Sequence, residues 1–141
     1  MQRTASARWS GDLRAGNGTV ALGSGAYTGP YSFQSRFESG AGANPEELLG
    51  AAHAGCFSMA LANALAGAGH VATSVDTTAT VHVNKTDAGF AVTQIDLVTT
   101  ATVPGITNDD FQRHAEATRT GCIISRALSA VPMTLVATLT A

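Results

Sequence analysis

NPEELLGAAHAGCFSMALANALAGAG, residues 44–69, decides the fold. Asn44 is suited to cap a helix, Pro45 to its first turn, and Glu47 stands three residues after the cap, where a carboxylate reaches back to a free backbone N–H. Gly67 and Gly69 stop it, so the stretch predicts one helix over 45–67. Leu48, Ala51, Ala52, Gly55, Cys56, Met59, Ala62, Asn63 and Ala66 recur at steps of three and four, which predicts a small-sided apolar face that a neighbouring element approaches closely. At 1.5 Å per residue the helix is about 35 Å long. No Asp, Glu, Lys or Arg occurs from Leu48 to Val75. The alanine and glycine content, interrupted by His53, Ser58 and Asn63, favours a core helix over a bilayer span.

Strands surround this helix on both sides. Upstream, short alternating runs near 4–10, 19–22 and 31–37, separated by glycine-rich turns, predict an antiparallel meander over 1–40. Arg36 falls at the end of its third strand, facing away from Phe37, just before a flexible SGAGA segment. Downstream, Val75, Thr77, Ala79, Val81 and Val83 alternate with polar residues, KTDAG turns the chain, and a second long strand follows, giving a hairpin over 71–103. Thr107 or Asn108 caps a helix whose first turn holds Asp109 and Asp110, Gly121 breaks it, and Cys122 begins a shorter one, so helices occupy 108–129. A last strand covers 133–139. Strands and helices are segregated rather than alternating, so the class is α+β, with antiparallel sheets packed on a long central helix in one domain, 1–141.

Composition narrows the function. Hydrophobic residues make up 45% of the chain and charged ones only 13%, so part of the apolar surface is expected to be covered, most simply in a symmetric homodimer. The net charge of -2 supplies no electrostatic footprint for nucleic acid or an acidic membrane. The N-terminal MQRTASARWS has no apolar signal core, which points to the cytoplasm. In that reducing compartment Cys56 and Cys122 are either inert core filling or redox-active.

As a nucleophile Cys56 must be a thiolate, yet the ordinary thiol pKa near 8.5 leaves only a few per cent ionised at neutral pH. A mid-helix position gains little from the helix dipole, so a cation has to come from elsewhere in the chain. Cys122, at a helix start, is better placed to ionise. A metal site drawn from His53, Cys56, His114 and Cys122 is the rival use of these residues, although no C-x-x-C pair accompanies them. The four histidines otherwise read as structural or exposed. Ser58 and Ser125 lack a G-x-S-x-G elbow, and GNGTVALGSG lacks the Walker lysine. Glu46 is less needed than Glu47 for capping and is better placed to hold an arginine than to touch the Cys56 sulfur.

With SRFE at 35–38, NPEELLGAAHAGCFSMAL at 44–61, TSVDTTATV at 73–81, DAGFAVTQI at 87–95, VPGI at 103–106 and GC at 121–122, the chain resembles the OsmC/Ohr family over nearly its whole length, and its OsmC branch in particular. The resemblance implies an intertwined homodimer that reduces organic hydroperoxides, and hydrogen peroxide more weakly, in stress defence. It implies Cys56 as the peroxidatic cysteine, Cys122 as the resolving one, Arg36 as the residue that steadies the thiolate, and Glu46 as the carboxylate that orients Arg36. It further implies no cofactor, no metal, and a dithiol or lipoyl-bearing protein as reductant. Many relatives have proline where this chain has Ile123, and the Ohr branch takes its arginine from a region where Arg14 lies here. A dimeric binding module for a hydrophobic small molecule, with incidental cysteines, is the alternative that low charge and the small-sided helix support; a structural zinc protein is the third.

Overall fold

The computed structural model describes residues 1–140, in the order β1 (Ala5–Ser10), β2 (Asn17–Leu22), β3 (Thr28–Tyr31), α1 (Phe33–Phe37), α2 (Pro45–Gly67), β4 (Ser74–Thr86), β5 (Gly89–Thr102), α3 (Asn108–Gly121), α4 (Ile123–Ala127) and β6 (Met133–Thr140). The chain divides into two compact units, Met1–Leu48 and Leu49–Ala141, with α2 beginning in the first and running on into the second.

In the first unit β1, β2 and β3 form the expected antiparallel meander. Gly18 lets it close. A Cβ there would stand 2.4 Å from the Tyr31 ring, so the missing side chain leaves room for the Trp9–Tyr31 pair, whose ring centroids are 5.2 Å apart.

The predicted third strand is corrected. Residues 33–37 are helical, because Ser32 takes the N-cap position, its Oγ accepts the Ser35 N–H at 3.1 Å, and Ser35 Oγ accepts the Ser32 N–H at 2.9 Å. A capping box closed by serine rather than glutamate thus outweighs the apolar alternation of Tyr31, Phe33 and Phe37. Arg36 therefore sits on a helix, with its guanidinium 5.2 Å from the Phe37 ring centroid rather than on an opposite face. The SGAGA segment read as flexible is also tied down. Ala43 N–H donates to Pro30 O at 2.9 Å, Ser35 Oγ donates to Ala43 O at 2.7 Å, and Asn44 Nδ2 donates to Ser35 O at 3.1 Å. Gly42, at φ +119, makes the turn that this close approach requires.

The second unit has β5 at the centre of a sheet ordered β4-β5-β6. A central strand covered on its inner face buries every second residue, and Ile95, Leu97, Thr99 and Ala101 are fully buried. β4 pairs with β5 antiparallel, with a bulge between His82 and Val83. β6, however, runs parallel to β5 from Ile95↔Met133 to Thr102↔Thr140. The expectation of wholly antiparallel sheets is corrected at this pair: α3 and α4 form the crossover that a parallel neighbour requires.

α2 has the predicted bounds, and the Asn44 side chain accepts the Glu47 N–H at 2.8 Å. Its buried stripe is not the one that the small residues suggested. Gly50, His53, Phe57, Leu61 and Leu65 face inward, while Met59 is 77% exposed. The helix is apolar all round, so periodicity could not select a face, and the large side chains went to the core. Phe57, Leu61 and Leu65 meet Ile95, Leu97 and Ala101 of β5 and Phe111 and Ala115 of α3. Each of the large ones contributes about 1.5–3 kcal/mol by leaving water. By length and composition α2 also meets the criterion for a membrane span, at mean hydropathy 1.4; its inward stripe is occupied by this unit's own core.

On the sheet, one polar cluster links all three strands. Asp96 of β5 accepts from Thr134 Oγ1 of β6 at 2.6 Å and Gln94 Nε2 at 2.5 Å, and lies 2.6 Å from His82 Nε2 of β4. The Thr134 bond, then those of Gln94 and His82, hold its carboxyl down at about 2. A depressed carboxylate stabilises the fold above the ordinary pKa near 4, and that contribution disappears as pH falls toward 2. Asp96→Asn is expected to melt lower than the parent at pH 5, with the difference shrinking between pH 4 and pH 2; parallel thermal melts by circular dichroism measure it.

Candidate active site

Cys56 lies midway along α2, next to fully buried Phe57, and is itself half-buried. Its Sγ accepts the Ile124 N–H from the first turn of α4 at 3.4 Å. Cys122 stands at the joint between two helices, as C-cap of α3 and N-cap of α4, with extended backbone at φ -64 and ψ 150. Gly121 ends α3, and the extended residue then reverses the chain so that its sulfur accepts the Ser125 N–H at 3.3 Å. The Cys122 thiol donates to Ser125 Oγ at 3.1 Å and is buried, with 3% of the residue exposed.

The two thiols are free and neighbours. Burial pushes the Cys56 thiol above its ordinary value, the Ile124 N–H draws it down, the adjacent Cys122 thiol raises it again, and the Ile123 N–H lowers it slightly. Among the described residues of this unit, only backbone amides favour the thiolate. The need for an external cation, read from the mid-helix position, therefore stands in physical terms.

In the first unit Arg36 has an architecture of its own. Arg36, on α1, grips Glu46, in the first turn of α2, through Nε at 3.1 and 3.2 Å and through the terminal nitrogen at 2.7 Å. This geometry fixes the guanidinium plane. Arg14 has a different setting, 4.7 Å from the Phe33 ring centroid. A cleft of about 200 Å³ lined by Trp9, Leu13, Tyr31, Phe33, Arg36 and Phe37 places Arg36 among aromatic rings. The four predicted residues thus fall into two pairs, Cys56 with Cys122 and Arg36 with Glu46, one in each compact unit.

Two further residues belong with the thiols. His53, one turn before Cys56 and fully buried, has Nε2 2.7 Å from Ser125 Oγ. Burial holds its pKa below the usual imidazole value, so the ring is neutral at pH 7. Among the described residues its Nδ1 is the one buried side-chain polar atom with no partner. From sequence, His53 reads as a candidate metal ligand and otherwise as structural or exposed, and Ser125 lacks a nucleophile elbow. The available signal was spacing: each cysteine has a polar residue one helical turn away. Among the described residues no group of three or more His, Cys, Asp or Glu is arranged to hold a metal ion, and His53 and Cys122 instead meet at Ser125.

An α+β protein in which a free thiol of a long helix meets a second free thiol at a helix joint has the chemistry of the thiol-redox class. The chain belongs to the OsmC family: the profile described as OsmC-like protein matches residues 38–136. It is 47% identical over 131 residues to Peroxiredoxin OsmC of Escherichia coli (strain K12), covering 92% of each chain. Among solved structures it resembles an organic hydroperoxide resistance protein from Elizabethkingia anophelis, at 24% identity and TM-score 0.73 over 99% of both chains. It also resembles an OsmC like protein from Mycoplasma pneumoniae, at 18% identity and TM-score 0.74, covering 100% of this chain and 99% of the other. These two likenesses concern the fold.

Proposed function

We propose that this chain is a cysteine peroxidase that reduces organic hydroperoxides, and hydrogen peroxide more weakly, in the cytoplasm as part of stress defence. The adjacency of Cys56 and Cys122 carries the reading, supported by family membership and by the relative named Peroxiredoxin OsmC. The Cys56 thiolate attacks a peroxide oxygen, the O–O bond breaks, and alcohol leaves as Cys56 becomes a sulfenic acid. Cys122 then attacks that sulfur, forming the Cys56–Cys122 disulfide and releasing water. A small dithiol or lipoyl-bearing protein returns two electrons. No cofactor enters the cycle.

Arg36, oriented by Glu46, supplies the positive charge that the thiolate needs. The aromatic cleft beside Arg36 suits the hydrocarbon part of an organic hydroperoxide better than hydrogen peroxide. Chains associate as a homodimer that covers the exposed apolar side chains, of which Met59 at 77% and Ile123 at 76% are the largest exposures near the thiols. Membranes and nucleic acid have no part in this cycle.

Mixing reduced protein with one equivalent of cumene hydroperoxide is expected to consume both thiols with first-order closure of an intramolecular disulfide. A rate no faster than that of free cysteine would reject the reading and favour a hydrophobic-ligand binding module. Cys122→Ser separates the steps. The variant is expected to undergo one oxidation, to stall, and with excess peroxide to accumulate Cys56 sulfinic acid, which intact-protein mass spectrometry detects.

A further inference from the structure

Cys122, Ser125 and His53 form a connected line in the second unit: Sγ to Oγ at 3.1 Å, then Oγ to imidazole Nε2 at 2.7 Å. The geometry points to a proton-handling pair for the resolving thiol, in which Ser125 accepts the Cys122 proton and passes its own hydroxyl proton to His53 Nε2 as Cys122 attacks the Cys56 sulfenic sulfur. This rests on the peroxidase reading above. It concerns the second chemical step, for which Arg36 and Glu46 are not required.

The physical need is specific. A buried thiol is a poor nucleophile while it keeps its proton, and burial opposes the free thiolate. A base within hydrogen-bond reach, directly or through one hydroxyl, removes that obstacle. A neutral imidazole is such a base. With the proton on Nδ1, Nε2 accepts from Ser125 Oγ–H, and the serine lone pairs stay open to the thiol. The orphaned Nδ1 fits a ring held for the partner of its other nitrogen, since buried polar atoms without partners are uncommon and call for a functional explanation.

The titratable groups that bear on the line are Cys56 and His53 from α2 and Cys122 itself, while Arg119 of α3 borders the cleft beside Ser125 with its charge already engaged by Glu116 at 2.5 Å. In the step, the Cys122 S–H bond breaks, the S–S bond forms, and the S–O bond of Cys56 breaks. The departing hydroxide takes up the proton that His53 accepted and leaves as water. Sulfenic acid plus thiol gives disulfide plus water, so no further oxidant or reductant is needed. Ser125 touches the reacting sulfur and is the catalytic member; His53 acts through it and is a positioning residue.

Reduced protein is mixed rapidly with one equivalent of cumene hydroperoxide and quenched over time, with dimedone trapping the sulfenic acid and mass spectrometry counting the disulfide. The ratio of closure rate to Cys56 oxidation rate is expected to fall roughly ten- to hundredfold in Ser125→Ala and in His53→Ala, and to recover to within about threefold in Ser125→Thr, which keeps a hydroxyl. In Ser125→Ala the closure rate is also expected to depend more steeply on pH than in the parent, because hydroxide must then take the place of the internal acceptor. Because a variant can misfold, closure in the unmodified protein is measured in heavy water as well, where a slowing of about twofold or more is expected for a rate-limiting proton transfer. Sulfenic acid forming normally while Ser125→Ala closes with the parent's ratio and pH profile, or parent closure unaffected by heavy water, would overturn the inference alone. No sulfenic acid at Cys56 in the unmodified protein overturns the peroxidase reading and the inference together.

Discussion

Cys56→Ser is expected to reduce cumene hydroperoxide turnover with dithiothreitol to the rate of the reaction without protein. A serine hydroxyl at this position is neither ionised nor oxidisable by peroxide. It fits the same space beside Phe57 and can accept the Ile124 N–H, so the fold and melting temperature should change little. The comparison is therefore one of chemistry rather than of folding. Cys122 remains in this variant, but it is buried at the α3–α4 joint and bonded to Ser125, so it is not expected to substitute as the first nucleophile. Turnover at even a tenth of the parent rate would mean that peroxide reacts elsewhere.

Arg36→Met is expected to slow the first oxidation step at pH 7 by about a hundredfold. The rate follows the ionised fraction of the thiol, which an adjacent opposite charge raises. The direction follows from the forces on the sulfur. Burial and the neighbouring Cys122 thiol push Cys56 up, and two backbone N–H groups oppose them, so removing the only proposed cation moves the titration to higher pH. The variant should lose more rate near neutrality than at higher pH, because the difference is one of ionised fraction. Ultraviolet titration of the thiolate and the pH profile of stopped-flow oxidation report the same midpoint. Glu46→Gln, which leaves the guanidinium charged but loosens the contact at 2.7 Å, is expected to give a smaller loss with little change in midpoint. Equal pH profiles for the parent and Arg36→Met would remove the arginine from the mechanism.

Helix termini and long alternating strands were readable because their signals are local. Asn44, Pro45 and Gly67 mark the ends of α2, the Thr107 hydroxyl caps α3 by accepting the Asp110 N–H at 3.2 Å, and the β4–β5 turn falls where KTDAG places it. What escaped depends on partners distant in sequence or on competition between two local codes. Residues 33–37 carry a strand-like alternation, yet the paired serine hydroxyls fold them into a helix that puts Arg36 in reach of Glu46. The direction of β6 is not written in its alternation, since parallel and antiparallel neighbours present the same period of two. The inward face of α2 was misread because alanine and glycine occupy its whole circumference; the large residues Phe57, Leu61 and Leu65 were the better guide. Of the thiol site, both cysteines were legible, but the line from His53 to Ser125 spans α2 and α4 and emerges only when the helices pack.

In the proposed cycle Cys122 is at once a reactant and a fastener. Its backbone N–H ends α3 by donating to Thr118 O at 3.2 Å, and its sulfur starts α4 by receiving an amide hydrogen from Ser125. When that sulfur turns toward Cys56 and bonds to it, the fastening weakens, and reduction restores it. Each turn of the proposed cycle would therefore work like a latch, releasing and resetting the first turn of α4, so that oxidised and reduced protein are expected to differ mechanically as well as chemically.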